Sequence, residues 1–227
     1  MARQPFNMPG TRRYHLLCPI ARGLDRLGDR WTLLVLRDLH AGPARFTDLQ
    51  VALPGLAPNL LTRRLRQLEQ DGLIGRREAE FGVSVYELTP LGLGTAPLLF
   101  ELSAFGGQFA PDDDIQSPGN LRTIAVTLQV ACQRAASQEL DLRARLDVSG
   151  ESFSLVVDGG EVDVKAGALA DPQVTVTTDY DALVAVNDGR MALDQFLSGH
   201  AKIDAADPRD LAAFMGLMAG ALQQLAR

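Results

Sequence analysis

One segment of the sequence, residues 58–72, carries side chains that are suited to contacts with DNA. Its apolar residues Leu61, Leu65 and Leu68 recur at helical spacing, which predicts an amphipathic helix with one buried stripe. The opposite face holds amide and guanidinium groups, and no carboxylate lies among them. Such groups donate to guanine, pair with adenine or hold phosphates. The segment is a candidate recognition helix for a major groove, although an ordinary solvated face has a similar composition.

The side chains expected to touch DNA fall into two groups. Base-edge contacts are expected from Asn59, Arg63 and Arg66, because amide and guanidinium groups can make paired hydrogen bonds to adenine or guanine. Phosphate contacts are expected from a second set: Thr62, Arg64, Gln67, Arg76 and Arg77.

Two helices are predicted ahead of this segment. The first begins at Pro19, which suits a first helical position, and has Ile20, Leu24 and Leu27 on one face. The second covers residues 31–39 and ends at a Gly-Pro pair.

A third, short helix is predicted over residues 48–53. Thr47 and Gln50 have the spacing of a capping box, and Phe46 and Val51 have the spacing of a hydrophobic staple. A four-residue turn then leads into the candidate recognition helix. Two short helices joined by a tight turn, the second with a polar face, predict a helix-turn-helix.

A hairpin is predicted to follow, with strands over residues 73–77 and 83–88. A hairpin directly after a recognition helix forms a wing, which would place Arg76 and Arg77 near backbone phosphates. A last helix is predicted over residues 91–106. It is largely apolar and lies outside the winged core, so it is expected to serve as a dimer arm.

Residues 16–107 resemble the HxlR family of prokaryotic winged-helix transcription regulators. The motifs that carry the resemblance stand in unbroken order: Cys18-Pro-Ile-Ala-Arg-Gly-Leu-Asp-Arg-Leu-Gly-Asp-Arg-Trp, Arg45-Phe-Thr-Asp-Leu, Pro58-Asn-Leu-Leu-Thr-Arg-Arg-Leu, Asp71-Gly-Leu-Ile and Tyr86-Glu-Leu-Thr-Pro-Leu-Gly. The resemblance implies a homodimer that is held together by its N-terminal region and last helix. It also implies binding to a near-palindromic operator in double-stranded DNA, usually as a repressor.

The sequence departs from the family pattern at three places. Ala57 stands where members usually have Ser, so the recognition helix lacks a side-chain cap that is typically worth about 1 kcal/mol. The wing lacks the usual pair of prolines. Phe105 replaces a Trp near the end of the last helix, a mild change if the site is apolar packing.

Two interpretations of Cys18 remain open. Some family members use a cysteine at this position as a thiol switch, and Arg12, Arg13 and Arg22 nearby would favour its thiolate, which makes a redox-sensing regulator an alternative. The other interpretation is a small buried hydrophobe at a helix start. An enzyme acting through Cys18 is not expected, because no catalytic His motif accompanies it.

Charge divides the chain into a mildly basic front half and an acidic back half. Residues 1–110 hold 13 Arg and no Lys against 10 acidic residues, a net +3, and residues 111–227 have a net −9, which together give the overall −6. The isoelectric point of the whole chain, near 5.1, would argue against nucleic acid. The division, however, allows the front half to bind DNA while the back half stays off it.

Cysteine usage and hydropathy suggest the compartment. Cys18 and Cys132 lie far apart with no cluster of ligands, so neither a disulfide framework nor a metal site is predicted. No apolar run reaches the roughly 18 residues that a membrane span needs. We therefore expect a soluble, cytoplasmic protein without a cofactor.

The back half begins after a proline-bracketed acidic linker at residues 111–119, which separates a front domain (1–110) from a back domain (120–227). Alternating apolar residues predict strands arranged as a meander with one apolar face: residues 140–148, 152–157, 161–165 and 173–178. Helices are predicted before and after them: residues 121–135, 179–187, 191–197 and 208–225. The fold class is therefore α+β.

Residues 120–225 resemble, more loosely, a sterol-carrier-protein-like domain. The resemblance rests on Asp171-Pro-Gln-Val-Thr-Val-Thr-Thr and on Gly189-Arg-Met-Ala-Leu-Asp-Gln-Phe-Leu-Ser-Gly. It implies a five-stranded sheet whose helices enclose an apolar tunnel for lipids. The candidate pocket residues are Phe196, Phe214, Met215, Met218 and Leu222. On residue pattern alone, this Met-containing stripe can equally be plain core.

The two resemblances together predict a dimeric winged-helix regulator whose back domain binds a small apolar or amphipathic effector or helps the dimer form. The effector would favour one spacing of the two recognition helices and so change DNA affinity. The alternative from another class is a lipid carrier whose front half is an interaction module with little DNA sequence preference.

Overall fold

The computed structural model describes residues 13–79, 82–109, 121–187 and 189–225. The front half forms these elements in chain order: α1 (Pro19–Leu27), α2 (Thr32–His40), α3 (Phe46–Ala52), α4 (Pro58–Gln70), β1 (Ile74–Glu78), β2 (Ser84–Leu88), α5 (Pro90–Leu93) and α6 (Ala96–Gly106). The back half forms these: α7 (Thr123–Ala135), β3 (Leu142–Val148), β4 (Glu151–Asp158), β5 (Glu161–Ala166), β6 (Val174–Thr178), α8 (Tyr180–Asn187), α9 (Leu193–Gly199), β7 (Lys202–Ala205) and α10 (Pro208–Leu225). The proposed linker lies outside the described residues.

The helical core of the front half follows the predicted periodicity. Leu61, Leu65 and Leu68 of α4 are fully buried, and they pack into the same core as Val35 and Leu39 of α2. Since the apolar stripe of α4 points into this core, its polar face must point outward. The prediction of an amphipathic helix over this segment is confirmed.

The start of α3 differs from the prediction. The helix begins at Phe46, earlier than expected, and the backbone N–H of Arg45 donates to the Asp48 carboxylate at 2.9 Å. Thr47 therefore lies inside the first turn and cannot act as the N-cap of a box with Gln50. Val51 is 81% exposed, so the predicted hydrophobic staple does not form either.

The predicted last helix of the front half is broken into α5 and α6. The Thr89 hydroxyl accepts the backbone N–H of Gly92 at 3.1 Å, which caps α5. Thr95 follows α5 and donates its hydroxyl to the Gly92 carbonyl at 2.6 Å. A Cβ at Gly92 would lie 2.0 Å from the Leu73 carbonyl oxygen, so this close approach requires glycine.

The sheet of the back half has the order β5-β4-β3-β6-β7. The predicted meander is correct for β3, β4 and β5, which pair antiparallel in sequence. It is wrong for the fourth strand, since β6 lies on the other side of β3 and runs parallel to it, with Leu146 opposite Val176. This pairing keeps the buried residues of both strands on one apolar face. A fifth strand, β7, pairs antiparallel with β6.

Helix α7 joins the two halves through its apolar surface. It packs against α6 and α2 of the front half, and against α10 and β5 of the back half. Phe100 of α6 and Ala131 of α7 are both fully buried. The buried residues of the two halves consequently form one continuous apolar cluster.

Polar contacts reinforce this junction at the C-terminal end of α2. Arg122, which precedes α7, donates from Nε to the Asp38 carbonyl at 3.0 Å and from Nη2 to the Gly42 carbonyl at 2.5 Å. Burial lowers the pKa of Arg122, and neighbouring carboxylates, Asp38 first, act in the opposite direction. The last carbonyls of a helix have no partner inside the helix, so Arg122 supplies one.

The strand β5 supplies two further donors to the same helix end. The backbone N–H of Ala166 donates to the Ala41 carbonyl at 2.8 Å, and Lys165 Nζ approaches the His40 carbonyl at 3.4 Å. The carbonyls of Asp38, His40, Ala41 and Gly42 thus accept hydrogen bonds from residues 80 or more positions later in the chain.

Candidate nucleic-acid interface and apolar cavity

The outward face of α4 presents the three residues predicted to contact bases. Asn59, Arg63 and Arg66 are all exposed. None of their side chains forms a hydrogen bond or ion pair with another residue in the described part of the chain. These amide and guanidinium donors therefore remain available to an external acceptor.

Other polar groups of α4 are partly engaged within the protein. Thr62 donates its hydroxyl to the Pro58 carbonyl at 3.0 Å, and Gln67 Nε2 donates to the Asp71 carboxylate at 3.1 Å. Arg64 Nη2 lies 2.6 Å from Asp29 Oδ2, with both side chains less than one-third exposed. Arg64 thus ties α4 to the segment between α1 and α2, and its contact with a phosphate stays a prediction.

The wing places two arginines on its exposed strand β1. Arg76 lies opposite Tyr86 in β2, donates from Nε to the Ser84 hydroxyl, and has its guanidinium 5.8 Å from the centre of the Tyr86 ring. Arg77 forms an exposed ion pair with Glu87 at 2.6 Å. Both guanidinium groups are held on the same hairpin that follows α4, while residues 80 and 81 of its tip lie outside the described residues.

The N-terminus of α4 lacks a side-chain cap, as its sequence predicts. Ala57 has the extended backbone of an N-cap residue, with φ −62° and ψ 140°, but no side-chain acceptor. Pro58 occupies the first turn and has no N–H of its own. The exposed start of the helix is consequently a region of positive partial charge.

A cavity of about 220 Å³ lies in the back half, between the sheet and its helices. Four of the five candidate pocket residues line it: Phe196, Phe214, Met218 and Leu222. Met215 does not line the cavity and packs against the core instead. Sequence reasoning did not assign Tyr180 and Leu183 of α8 to the lining, since their helix carries no signal that distinguishes lining from core.

The wall of the cavity also includes α7 and one residue of the front half. Ile124 and Leu128 of α7 line it together with Ser103 of α6. The hydroxyls of Thr127 and Thr178 also line it, but each donates to a backbone carbonyl. No charged side chain of the described residues faces the cavity.

The two cysteines occupy contrasting environments. Cys18 is exposed at the N-cap of α1, so its interpretation as a buried hydrophobe is wrong for the described chain. Cys132 is buried in α7, and burial raises the pKa of its thiol to about 12. Arg12 lies outside the described residues. Within the described ranges, no three His, Cys, Asp or Glu side chains are grouped in a way that would hold a metal ion.

His40 is buried beside the junction of the two halves. Its Nε2 lies 3.0 Å from the Thr95 hydroxyl, which itself donates to the Gly92 carbonyl. The hydroxyl must therefore accept from Nε2–H, which leaves Nδ1 as the unprotonated nitrogen. Burial first, and Lys165 second, lower the pKa of His40 from 6.5 to about 4.

The arrangement of α3, the turn, α4 and the β1–β2 hairpin defines a winged helix-turn-helix protein of the DNA-binding class. Comparison with known families agrees with this class. Residues 26–114 match the family described as HxlR-like helix-turn-helix. The chain belongs to this family, whose members are DNA-binding transcriptional regulators and not enzymes.

Relatives support the assignment over the front half. An HTH-type transcriptional regulator of Synechocystis sp. is 37% identical over 102 residues, which cover 44% of this chain and 76% of the relative. YvaP of Bacillus subtilis is 34% identical, and the match covers 41% of this chain and 89% of YvaP. YodB of the same organism is 32% identical, and the match covers 43% of this chain and 90% of YodB. The solved structure of reduced YodB is 28% identical, covers 44% of this chain and 100% of that chain, and has a TM-score of 0.38.

None of the helices in the described ranges is both long and apolar enough to span a bilayer.

Proposed function

We propose that the protein is a sequence-specific, homodimeric regulator of transcription in the cytoplasm, by family default a repressor. Helix α4 enters the major groove of a near-palindromic operator, and the wing contacts the adjacent backbone. The observation that carries this proposal is the set of exposed, unpaired donors on α4, namely Asn59, Arg63 and Arg66. Two copies related by a two-fold axis would read half-sites about one helical turn apart.

Exposed apolar side chains support a dimer formed by α1 and α6. Ile20 is 74% exposed, and Leu98, Leu102 and Phe105 of α6 are each close to half exposed. Leu98, Leu102 and Phe105 are spaced to lie on one face of α6, and an exposed apolar face of this kind marks an interaction surface. The other side of α6 packs against α7, so the same helix would join the two copies and also contact the back half.

The back half is proposed as a sterol-carrier-protein-like domain, residues 120–227, that senses a small apolar or amphipathic effector. Its five-stranded sheet, covering helices and apolar cavity support this assignment. An effector changes DNA affinity only by as much as it prefers one arrangement of the dimer over the other. The acidic surface of this half keeps it away from DNA.

The deciding experiment selects operator sequences from random DNA with the full-length protein and then compares two variants. If Arg63 reads a base, Arg63→Ala relaxes specificity at one position by about 1–3 kcal/mol. Arg76→Ala is the matched control, because a phosphate contact weakens binding to all sequences and reduces the salt dependence by about one counterion. Selection of no preferred sequence would refute the proposal and favour the lipid carrier with an interaction module.

A redox-sensing regulator is the second candidate, favoured by the exposure of the Cys18 thiol at the start of α1. Oxidation there would act next to the proposed dimer surface. Under this alternative, mild oxidation abolishes operator binding by the wild type and by Cys132→Ala but not by Cys18→Ser. Equal responses of wild type and Cys18→Ser would eliminate it.

A further inference from the structure

We propose that the cavity binds an uncharged, largely apolar molecule and that α7 transmits its occupancy to the helix-turn-helix through Arg122. The inference rests on the proposed sensing role of the back half, and it specifies both the ligand class and the structural route.

The lining of the cavity determines the ligand class. Bringing an ion into a site without a countercharge is costly, and no charged side chain of the described residues lines this one. The polar residues of the lining carry only hydroxyl groups: Ser103, Thr123, Thr127, Thr178 and Tyr180. The hydroxyls of Thr127 and Thr178 already donate to backbone carbonyls, so the lining offers few polar groups to a ligand. A cavity of about 150 Å³ suffices for benzene, so about 220 Å³ accommodates a larger neutral hydrophobe.

The position of α7 gives the ligand a direct contact with the junction. One side of this helix lines the cavity through Ile124 and Leu128. The same helix packs against α6 and α2. Ser103 of α6 also lines the cavity, so a bound molecule would touch both halves.

Arg122 connects the N-terminal end of α7 to the C-terminal end of α2, the helix that packs against the helix-turn-helix. Its two hydrogen bonds hold the Asp38 and Gly42 carbonyls at the end of α2. Helix α2 packs in turn against α3, the first helix of the helix-turn-helix. A small shift of α7 on filling the cavity would therefore move or loosen the end of α2.

The ligand class is tested with two fluorescent probes of the same aromatic framework. N-phenyl-1-naphthylamine is neutral, and 8-anilinonaphthalene-1-sulfonate adds one negative charge. We expect the neutral probe to bind the full-length protein and Met218→Trp to weaken it at least about tenfold, or roughly 1.4 kcal/mol. Met215→Trp, on the same helix but outside the lining, is the matched control and should leave binding nearly unchanged.

Equal loss in both Trp variants, or loss in neither, would overturn the cavity as the site. Binding of the anionic probe that is as tight and as sensitive to Met218→Trp would overturn the ligand class. Thermal unfolding of each variant establishes that it is folded. A second filling variant, Leu128→Phe, replaces Met218→Trp if that protein does not fold.

The route is tested by hydrogen exchange, which does not depend on DNA binding. Saturation with the neutral probe should change amide exchange in α2 and α3 of the wild type and of Arg143→Met, which removes an exposed arginine away from the junction. Arg122→Met should bind the probe with unchanged affinity but show no such change. Unchanged exchange in the wild type, or the same change in Arg122→Met, would overturn the route. Failure to select an operator would instead refute the proposed function and leave these readouts standing.

Discussion

At the scale of single residues, His40 is held neutral by its surroundings. Its Nε2–H donates to the Thr95 hydroxyl, and Nδ1 is buried without a hydrogen-bond partner in the described part of the chain. A proton on Nδ1 would have no acceptor there and would lie near Lys165, which already lowers the pKa. The residue is therefore part of the structural junction and not a sensor at neutral pH.

This environment predicts a dependence of stability on pH. In the unfolded chain His40 takes up a proton near pH 6.5, whereas in the folded protein it does so only near pH 4. The unfolded state binds more protons in this window, so the free energy of unfolding falls as the pH drops from 6.5 to 4, by up to about 3 kcal/mol. Urea unfolding across this range, compared with His40→Gln, isolates the effect, since the amide can still donate to Thr95 but does not titrate. Parallel pH profiles for the two proteins would contradict the prediction.

Some residues of the candidate site can be located from the sequence, and others only from the structure. The polar face of α4 followed from helical spacing alone, so Asn59, Arg63 and Arg66 could be located without a structure. The pairing of Arg64 with Asp29 could not, because the two lie 35 positions apart and no local pattern joins them. Met215 and Met218 likewise belong to one apolar stripe, and only the helix rotation distinguishes core from cavity.

Among the secondary-structure elements, helix α4 has an N-cap position whose side chain makes no cap hydrogen bond. The backbone of Ala57 already has the extended conformation of an N-cap, and a serine hydroxyl there would accept an N–H from the first turn. Ala57→Ser should raise the free energy of unfolding by about 1 kcal/mol. Denaturant unfolding measures this, with Ala57→Val as the control that adds atoms but no acceptor. Equal stability of the Ser and Val variants would show that the cap does not form.

The exposed apolar side of helix α6 leads to a prediction about dimerisation. Leu102 is 46% exposed on the side that we assign to the dimer, so Leu102→Glu should place a charge in that interface and weaken dimerisation at least about tenfold. Sedimentation equilibrium measures the change. Leu211→Glu on α10 is the control, because its leucine is 36% exposed on the back half, outside the proposed interface. Two variants that remain equally dimeric would place the interface elsewhere.

Helices and strands were predicted correctly where the local sequence pattern determines them. They were predicted poorly where contacts with distant residues determine them. The bounds of α4 and the strands β3 to β5 follow periodicity. At the break between α5 and α6, Thr95 contacts His40, and Gly92 just before it lies against the Leu73 carbonyl, so both residues make tertiary contacts there. The position of β6 beside β3 requires the connection from β5 to cross past β4 and β3, which the alternation of apolar residues does not encode.

At the scale of the whole molecule, the two halves share one apolar cluster instead of meeting at a small polar surface. A protease site can be engineered into residues 111–119. After cleavage there, we expect the two pieces to stay together as a single species in size-exclusion chromatography. The separately expressed fragment 1–109 should unfold at lower denaturant than the full chain, because the end of α2 and the α7-facing side of α6 lose their partners. Fragments that separate, with a front half as stable as before, would contradict this.

The junction at α2 also has a consequence for the order in which the chain is made. Asp38, His40, Ala41 and Gly42 leave the ribosome early, whereas Arg122, Lys165 and Ala166 follow 80 or more residues later. At synthesis rates of about 5–20 residues per second, the end of α2 waits several seconds for its partners. The nascent DNA-binding half is therefore completed only after β5 has emerged, which couples its maturation to translation of the back half.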